Sequence, residues 1–110
     1  AAVEAADADE RVVVIGSGGI SHWVGMPRMG DHNEGFDRMV LDCVVRGDPE
    51  PLFALSDAEI IEQAGNGGLE IRNLACAMGA LPGRSGALIA CHNDPDWVAG
   101  LGFAEIHAAA

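Results

Sequence analysis

Basic residues are scarce in this sequence: 6 Lys and Arg stand against 17 Asp and Glu in 110 residues, giving a formal charge of −11. Such an acidic chain repels phosphate backbones and anionic lipid heads, which argues against nucleic acid and membrane surfaces and leaves small molecules or other proteins as partners. Tyrosine is absent, and the only cysteines are Cys43, Cys76 and Cys91. Their odd number, wide spacing and lack of a C-x-x-C pair suit reduced thiols in a cytoplasm better than a disulfide framework. No apolar run approaches the length of a membrane span, and no basic-plus-apolar leader precedes the first β-forming run. No initiator Met opens the chain. Its first residues, AAVEAADADE, read as the end of an alanine-rich helix, so the chain is expected to begin in mid-domain.

What is present is 49% hydrophobic residues and 15 glycines, enough apolar content for one globular domain with a modest core. The organising stretch is residues 11–23, RVVVIGSGGISHW. Val12, Val13, Val14 and Ile15 are too few and too β-branched for a helix and predict a buried strand. Gly16, Gly18 and Gly19 then break it and carry Ser21 and His22 just beyond its C-terminal end, where open α/β sheets bind ligands.

Residues 24–33 contain Gly25, Pro27 and Gly30 and predict a loop. Asn33 caps a helix on which Phe36, Met39, Val40, Cys43 and Val44 form the apolar stripe, while Glu34, Asp37, Arg38, Asp42 and Arg46 mostly take the other side. Gly47 and Asp48-Pro49 end it. Ser56 and Glu59 form a capping box that starts a short helix to about Gln63. After Gly65-Asn66-Gly67-Gly68, a second helix carries Ile71, Leu74, Ala75 and Met78 inward and stops at Gly79 and Pro82-Gly83. Residues 87–91 read as another short buried strand and residues 92–95 as the turn after it; the tail, with Gly100 and Gly102, fits no single element. Two strands and several helices give α/β or α+β. Two strands alone do not make a stable sheet, so further strands are expected from elsewhere.

Two residues stand out chemically. His22 in G-G-x-S-H reads either as a loop histidine satisfied by backbone carbonyls or as a general acid/base beside a ligand. Glu70, after Gly67-Gly68-Leu69, reads either as a first-turn acid complementing the helix dipole or as a metal ligand reached through glycines. Arg72 and Asn73 could support it or face water. The turn 16–19 fails as a dinucleotide fingerprint, because Ser21 stands at the third glycine position and no helix pattern follows at once. His32, His92 and His107 share no metal-ligand spacing. The cysteines read as core thiols; Cys91 and His92, adjacent on a strand, point to opposite faces.

With His22 and Glu70 taken together, the sequence resembles the catalytic subunits of class III extradiol ring-cleavage dioxygenases, the family of the protocatechuate 4,5-dioxygenase β chain. The matching text is VVVIGSGGISHWVG, then Asn33-x-x-Phe36-Asp37, then residues 64–73 and Gly79-Ala80-Leu81-Pro82. The resemblance implies that His22 is the active-site acid/base and that Glu70 is the carboxylate ligand of a non-haem Fe(II). Gly18, Gly19 and Ser21 would shape the pocket wall. It also implies an α/β fold forming part of an αβ sandwich. The family's two iron-ligating histidines would precede Ala1, so the chain corresponds to the C-terminal segment of the catalytic domain and is expected to be inactive by itself. The implied activity is opening of a catechol-type ring with O₂. Unpaired strands predict association into a homo- or hetero-oligomer. A non-catalytic small acidic subunit and a small-molecule or nucleotide-binding α/β module are the alternatives.

Overall fold

A computed structural model describes residues 9–94 and 96–107. The expected helix end at the start of the chain falls largely outside them. The longest helix, α1 (Glu34–Arg46), begins where the Asn33 side chain accepts the Phe36 N–H and ends at Gly47, whose φ of 69° is the left-handed stop that glycine takes most easily. The expected stripe is buried, with Met39 half-buried. Asp37 departs from the expected polar side and is fully buried. It stands three and four residues before Val40 and Leu41, on the core face, and a carboxylate is tolerated there because Ser21 supplies its hydrogen-bond donors.

A short helix that the sequence reading did not anticipate, α2 (Glu50–Phe53), follows Pro49 and buries Leu52. The capping box of Ser56 and Glu59 starts α3 (Asp57–Ala64). At Gly65 the chain turns with φ of 81° into a 3-10 helix (Asn66–Glu70), which runs into α4 (Ile71–Met78). Ile71, Ala75 and Met78 of α4 face inward and Leu74 is half-buried.

The strands β1 (Gly86–Asp94) and β2 (Ala99–Ile106) form an antiparallel hairpin, with Gly86 opposite Ile106, Asp94 opposite Ala99 and an irregularity between Leu88 and Ala90. The tail is thus a strand. The expected strand at residues 87–91 is present but longer, running through the predicted turn to Asp94, and its residues 87–90 are exposed rather than buried. One face of the hairpin packs on α1: a Cβ at Gly102 would come within 2.7 Å of the Leu41 methyls.

Residues 12–15 correct the sequence reading more sharply. They form no strand among the described residues, and Val13 and Ile15 are 81% and 80% exposed. β-propensity measures fit to a pleated surface and does not supply a neighbour. The hairpin pairs with itself, and residues 12–15 line an open apolar groove of about 740 Å³ together with Val44, Leu74, Ala77, Ile89 and Ile106. Among the described residues no helix is long and apolar enough to cross a membrane.

The core joins Ile20 to Phe36, Val40, Leu41, Leu52, Ile60 and Ile71. Ile20 lies in a loop yet is only 1% exposed. Burial of such a side chain contributes about 1.5–3 kcal/mol, so the segment that carries His22 is anchored as firmly as a helix residue.

Candidate active site

Residues 20–24 run between the hairpin and the α3 turn and bond to both. The Ile20 N–H donates to the Gly100 carbonyl and the Gly100 N–H to the Ser21 carbonyl, each at 2.8 Å. On the other side the His22 N–H donates to the Ala64 carbonyl at 2.8 Å, and the His22 carbonyl accepts the Gly67 N–H at 3.1 Å. The Asn66 side chain closes the ladder, accepting from the Val24 N–H and donating to the Val24 carbonyl.

This stitching sets His22 beside the end of the 3-10 helix. Its Nε2 lies 3.7 Å from Glu70 Oε2, with the imidazole side chain 12% exposed and the carboxylate side chain 47% exposed. Its Nδ1 is 3.2 Å from the Ile20 carbonyl oxygen. A carbonyl only accepts, so this bond keeps a proton on Nδ1 and, in the neutral ring, leaves the Nε2 lone pair toward Glu70. Glu70 Oε2 is in turn held by the Gly19 N–H at 2.6 Å.

Glycines make the room. A Cβ at Gly67 would run into the imidazole, and one at Gly19 would lie 3.0 Å from its Cε1 on another side. Gly18, with φ of 151°, approaches Glu70 so closely that a Cβ would sit 2.8 Å from the Glu70 Cβ. The imidazole therefore occupies a slot with backbone walls, open toward the carboxylate.

The sequence model of the catalytic LigB subunit of aromatic ring-opening dioxygenase matches residues 1–102. The chain belongs to this family. A ring-opening dioxygenase acts on a small aromatic molecule with O₂, and this chain brings together the two residues singled out from its sequence, His22 and Glu70.

Other expected site residues have different surroundings. Ser21 is fully buried, its hydroxyl accepting the Asn33 N–H at 2.8 Å and donating to Asp37 Oδ2 at 3.0 Å, so it braces the segment from behind. Asn73 donates to the Ser17 carbonyl and fastens the glycine turn to α4. Arg72 pairs with Asp57 at 2.6 Å and donates to the Leu55 carbonyl, away from Glu70. His92 and His107 sit near Asp94 and Glu105 respectively, and both ring nitrogens of His32 are sealed from solvent with no hydrogen-bond partner among the described residues. Trp23, next to His22, is buried under the Arg28 guanidinium, 4.2 Å above its ring.

Asp37 is the residue that sequence reasoning missed at this site. It accepts both the Ser21 N–H, at 2.8 Å, and the Ser21 hydroxyl. Burial pushes its carboxyl above the ordinary value of 3.8; the two Ser21 bonds and nearby His32 pull it down without cancelling that effect. Its spacing of one helical turn before Leu41 was the available signal.

LigB-type dioxygenases are typically metal-dependent. Glu70 suits one ligand position, since its carboxylate is anchored through Oε2 and half open to solvent. Among the described residues no group of three or more His, Cys, Asp and Glu converges to complete a cage. The donor set in hand is thus one carboxylate beside one imidazole, short of the three ligands of a facial triad.

Proposed function

We propose that this chain contributes the proton-transferring histidine and the carboxylate ligand to an extradiol dioxygenase site that opens a catechol-type ring using Fe(II) and O₂. The observation that carries this reading is the His22 Nε2 to Glu70 Oε2 approach of 3.7 Å, with Nδ1 tied to the Ile20 carbonyl. Bound Fe(II) would supply open positions for both catechol oxygens and for O₂. Nε2 takes the proton of a ring hydroxyl as the catechol binds. The same nitrogen would then return a proton to the ring-opened product, so His22 acts first as base and then as acid. The hairpin against α1 is read as part of an αβ sandwich, and the free thiols of Cys43, Cys76 and Cys91 fit a reducing compartment such as the cytoplasm.

The test is anaerobic Fe(II) loading of the chain, alone and together with the N-terminal region that the resemblance implies, followed by protocatechuate and O₂ with detection of the yellow ring-opened product. Glu70→Ala is expected to abolish iron retention. His22→Ala is expected to keep iron and slow turnover by about 10²- to 10⁴-fold. Normal iron content in the first variant removes Glu70 from the site, and unchanged turnover in the second removes His22. A folded, complemented protein that refuses iron returns the chain to a non-catalytic role.

A further inference from the structure

Asp37 and the His22 imidazole are bonded to opposite ends of one peptide group. The unit joining Ile20 to Ser21 presents its N–H to Asp37 Oδ1 at 2.8 Å and its carbonyl oxygen to His22 Nδ1 at 3.2 Å. A trans peptide is planar, with N–H and C=O pointing in opposite directions, so fixing one end aims the other. We infer that Asp37 is a positioning residue for His22: through the Ile20–Ser21 peptide its carboxylate holds the imidazole in the Nδ1–H tautomer with Nε2 facing Glu70. This rests on the reading of His22 as the acid/base.

Three further observations place this arrangement on a rigid base. Asp37 lies in the first turn of α1, where its own N–H bonds to the Asn33 carbonyl at 2.9 Å. The Ser21 hydroxyl, between the Asn33 N–H and Asp37 Oδ2, gives the carboxylate a second bond that fixes its plane. Gly100 leaves the space, because a Cβ there would strike Asp37 Oδ2. A bond to a charged acceptor is roughly twice as strong as a neutral one, and bonds in series polarise one another, so the carboxylate also strengthens the carbonyl as an acceptor for Nδ1–H. The arrangement does what a direct carboxylate–imidazole bond does elsewhere, with a peptide group interposed.

The experiment is nitrogen-15 NMR of the histidine rings in the full 110-residue chain, wild type against Asp37→Asn and Asp37→Ala, with amide dispersion as the check of folding. The expected result is a His22 ring held as the Nδ1–H tautomer in the wild type, a mixture of tautomers in Asp37→Ala and an intermediate mixture in Asp37→Asn, which keeps an acceptor without the charge. A folded variant with wild-type His22 signals overturns the inference. Should Asp37→Ala fail to fold, Asp37→Asn alone decides by the same criterion. In the iron-loaded, complemented protein, Asp37→Asn is expected to lower kcat roughly 10- to 100-fold with KM nearly unchanged, and to have no further effect once His22 is Ala. An added loss in the His22→Ala background means a merely structural role for Asp37. Unchanged turnover in His22→Ala alone overturns the acid/base reading, while the ring tautomers still report on Asp37 separately.

Discussion

Gly67→Ala and Gly35→Ala are the same chemical change with opposite expected signs. Gly35 lies in the first turn of α1, and a Cβ there would meet only the Asn33 side-chain oxygen, at 3.5 Å. Replacing a helical glycine that has room for Cβ stabilises by about 0.4–1 kcal/mol, chiefly by restricting the unfolded chain. Gly67 gains the same unfolded-state term, but its Cβ would enter the His22 ring. Gly19 leaves the imidazole little room on its other side, since even a Cβ there would stand 3.0 Å from Cε1 and 3.1 Å from Nδ1, so the ring is expected to swing out toward solvent. That surrenders the bond to the Ile20 carbonyl, a net loss of about 0.5–1.5 kcal/mol, and a similar amount of ring burial. The balance is about 1 kcal/mol of destabilisation, against gains of about 0.4–1 kcal/mol for Gly35→Ala. Urea titration at pH 7 measures both, with an unchanged slope showing that unfolding remains the same transition. A Gly67→Ala protein as stable as Gly35→Ala, with undisturbed His22 ring signals, would refute the reasoning that backbone walls fix the imidazole.

Two further outcomes follow from burial. Because the folded chain binds the Asp37 proton more tightly than the unfolded chain, the cost of this group is absent below about pH 3.8 and grows as pH rises through its raised folded value. Wild-type stability measured relative to Asp37→Asn should therefore fall between acid and neutral pH and then level off; a flat difference contradicts the assigned burial. The reference is needed because Glu59, held below its ordinary value chiefly by the Ser56 hydroxyl and also by the Ser56 N–H, contributes stability that is lost in the opposite direction, as pH falls. Among the thiols, Cys76 is exposed, whereas Cys43 is buried and Cys91 half-buried, both with their thiols pushed upward by burial. A maleimide should label Cys76 first and Cys43 only on unfolding, and mass spectrometry of the labelled peptides checks the order.

Much of the helical part was legible because its signals are local. Asn33 with Phe36, and Ser56 with Glu59, are contacts within one turn, and the Phe36–Val44 stripe needs only the helical period. The strands were read less well, for a physical reason. A strand is completed by a partner distant in sequence, so residues 12–15 carry strong β-propensity and yet form no strand among the described residues, while Ala99–Ile106, broken by glycines, pairs fully with β1. Gly100 and Gly102 obscured that strand because they are spaces for Asp37 and Leu41, a requirement set by α1. Asp37 was misplaced by the same limit: an acid on a helix reads as outward unless its partner is known, and Ser21 lies 16 residues away. His22 and Glu70 were both named, but not the 3.7 Å between them, which depends on bonds from Gly100 and Ala64 to the segment that carries His22.

The consequence of that wiring is that fold and chemistry meet in three successive residues. Ile20 enters the core, Ser21 bonds back to α1, and His22 turns toward Glu70, so three neighbouring side chains on one bent segment serve three purposes. Substitutions that disturb Ile20 or Ser21 should move the imidazole before they unfold the chain, because the peptide linking them carries the carbonyl that holds Nδ1. Activity lost in such a variant then says little about whether the residue touches substrate. Ring signals of His22 measured beside global stability separate the two: a residue that acts only through the core lowers stability with the tautomer intact, and one that acts through the Ile20–Ser21 peptide changes the tautomer first.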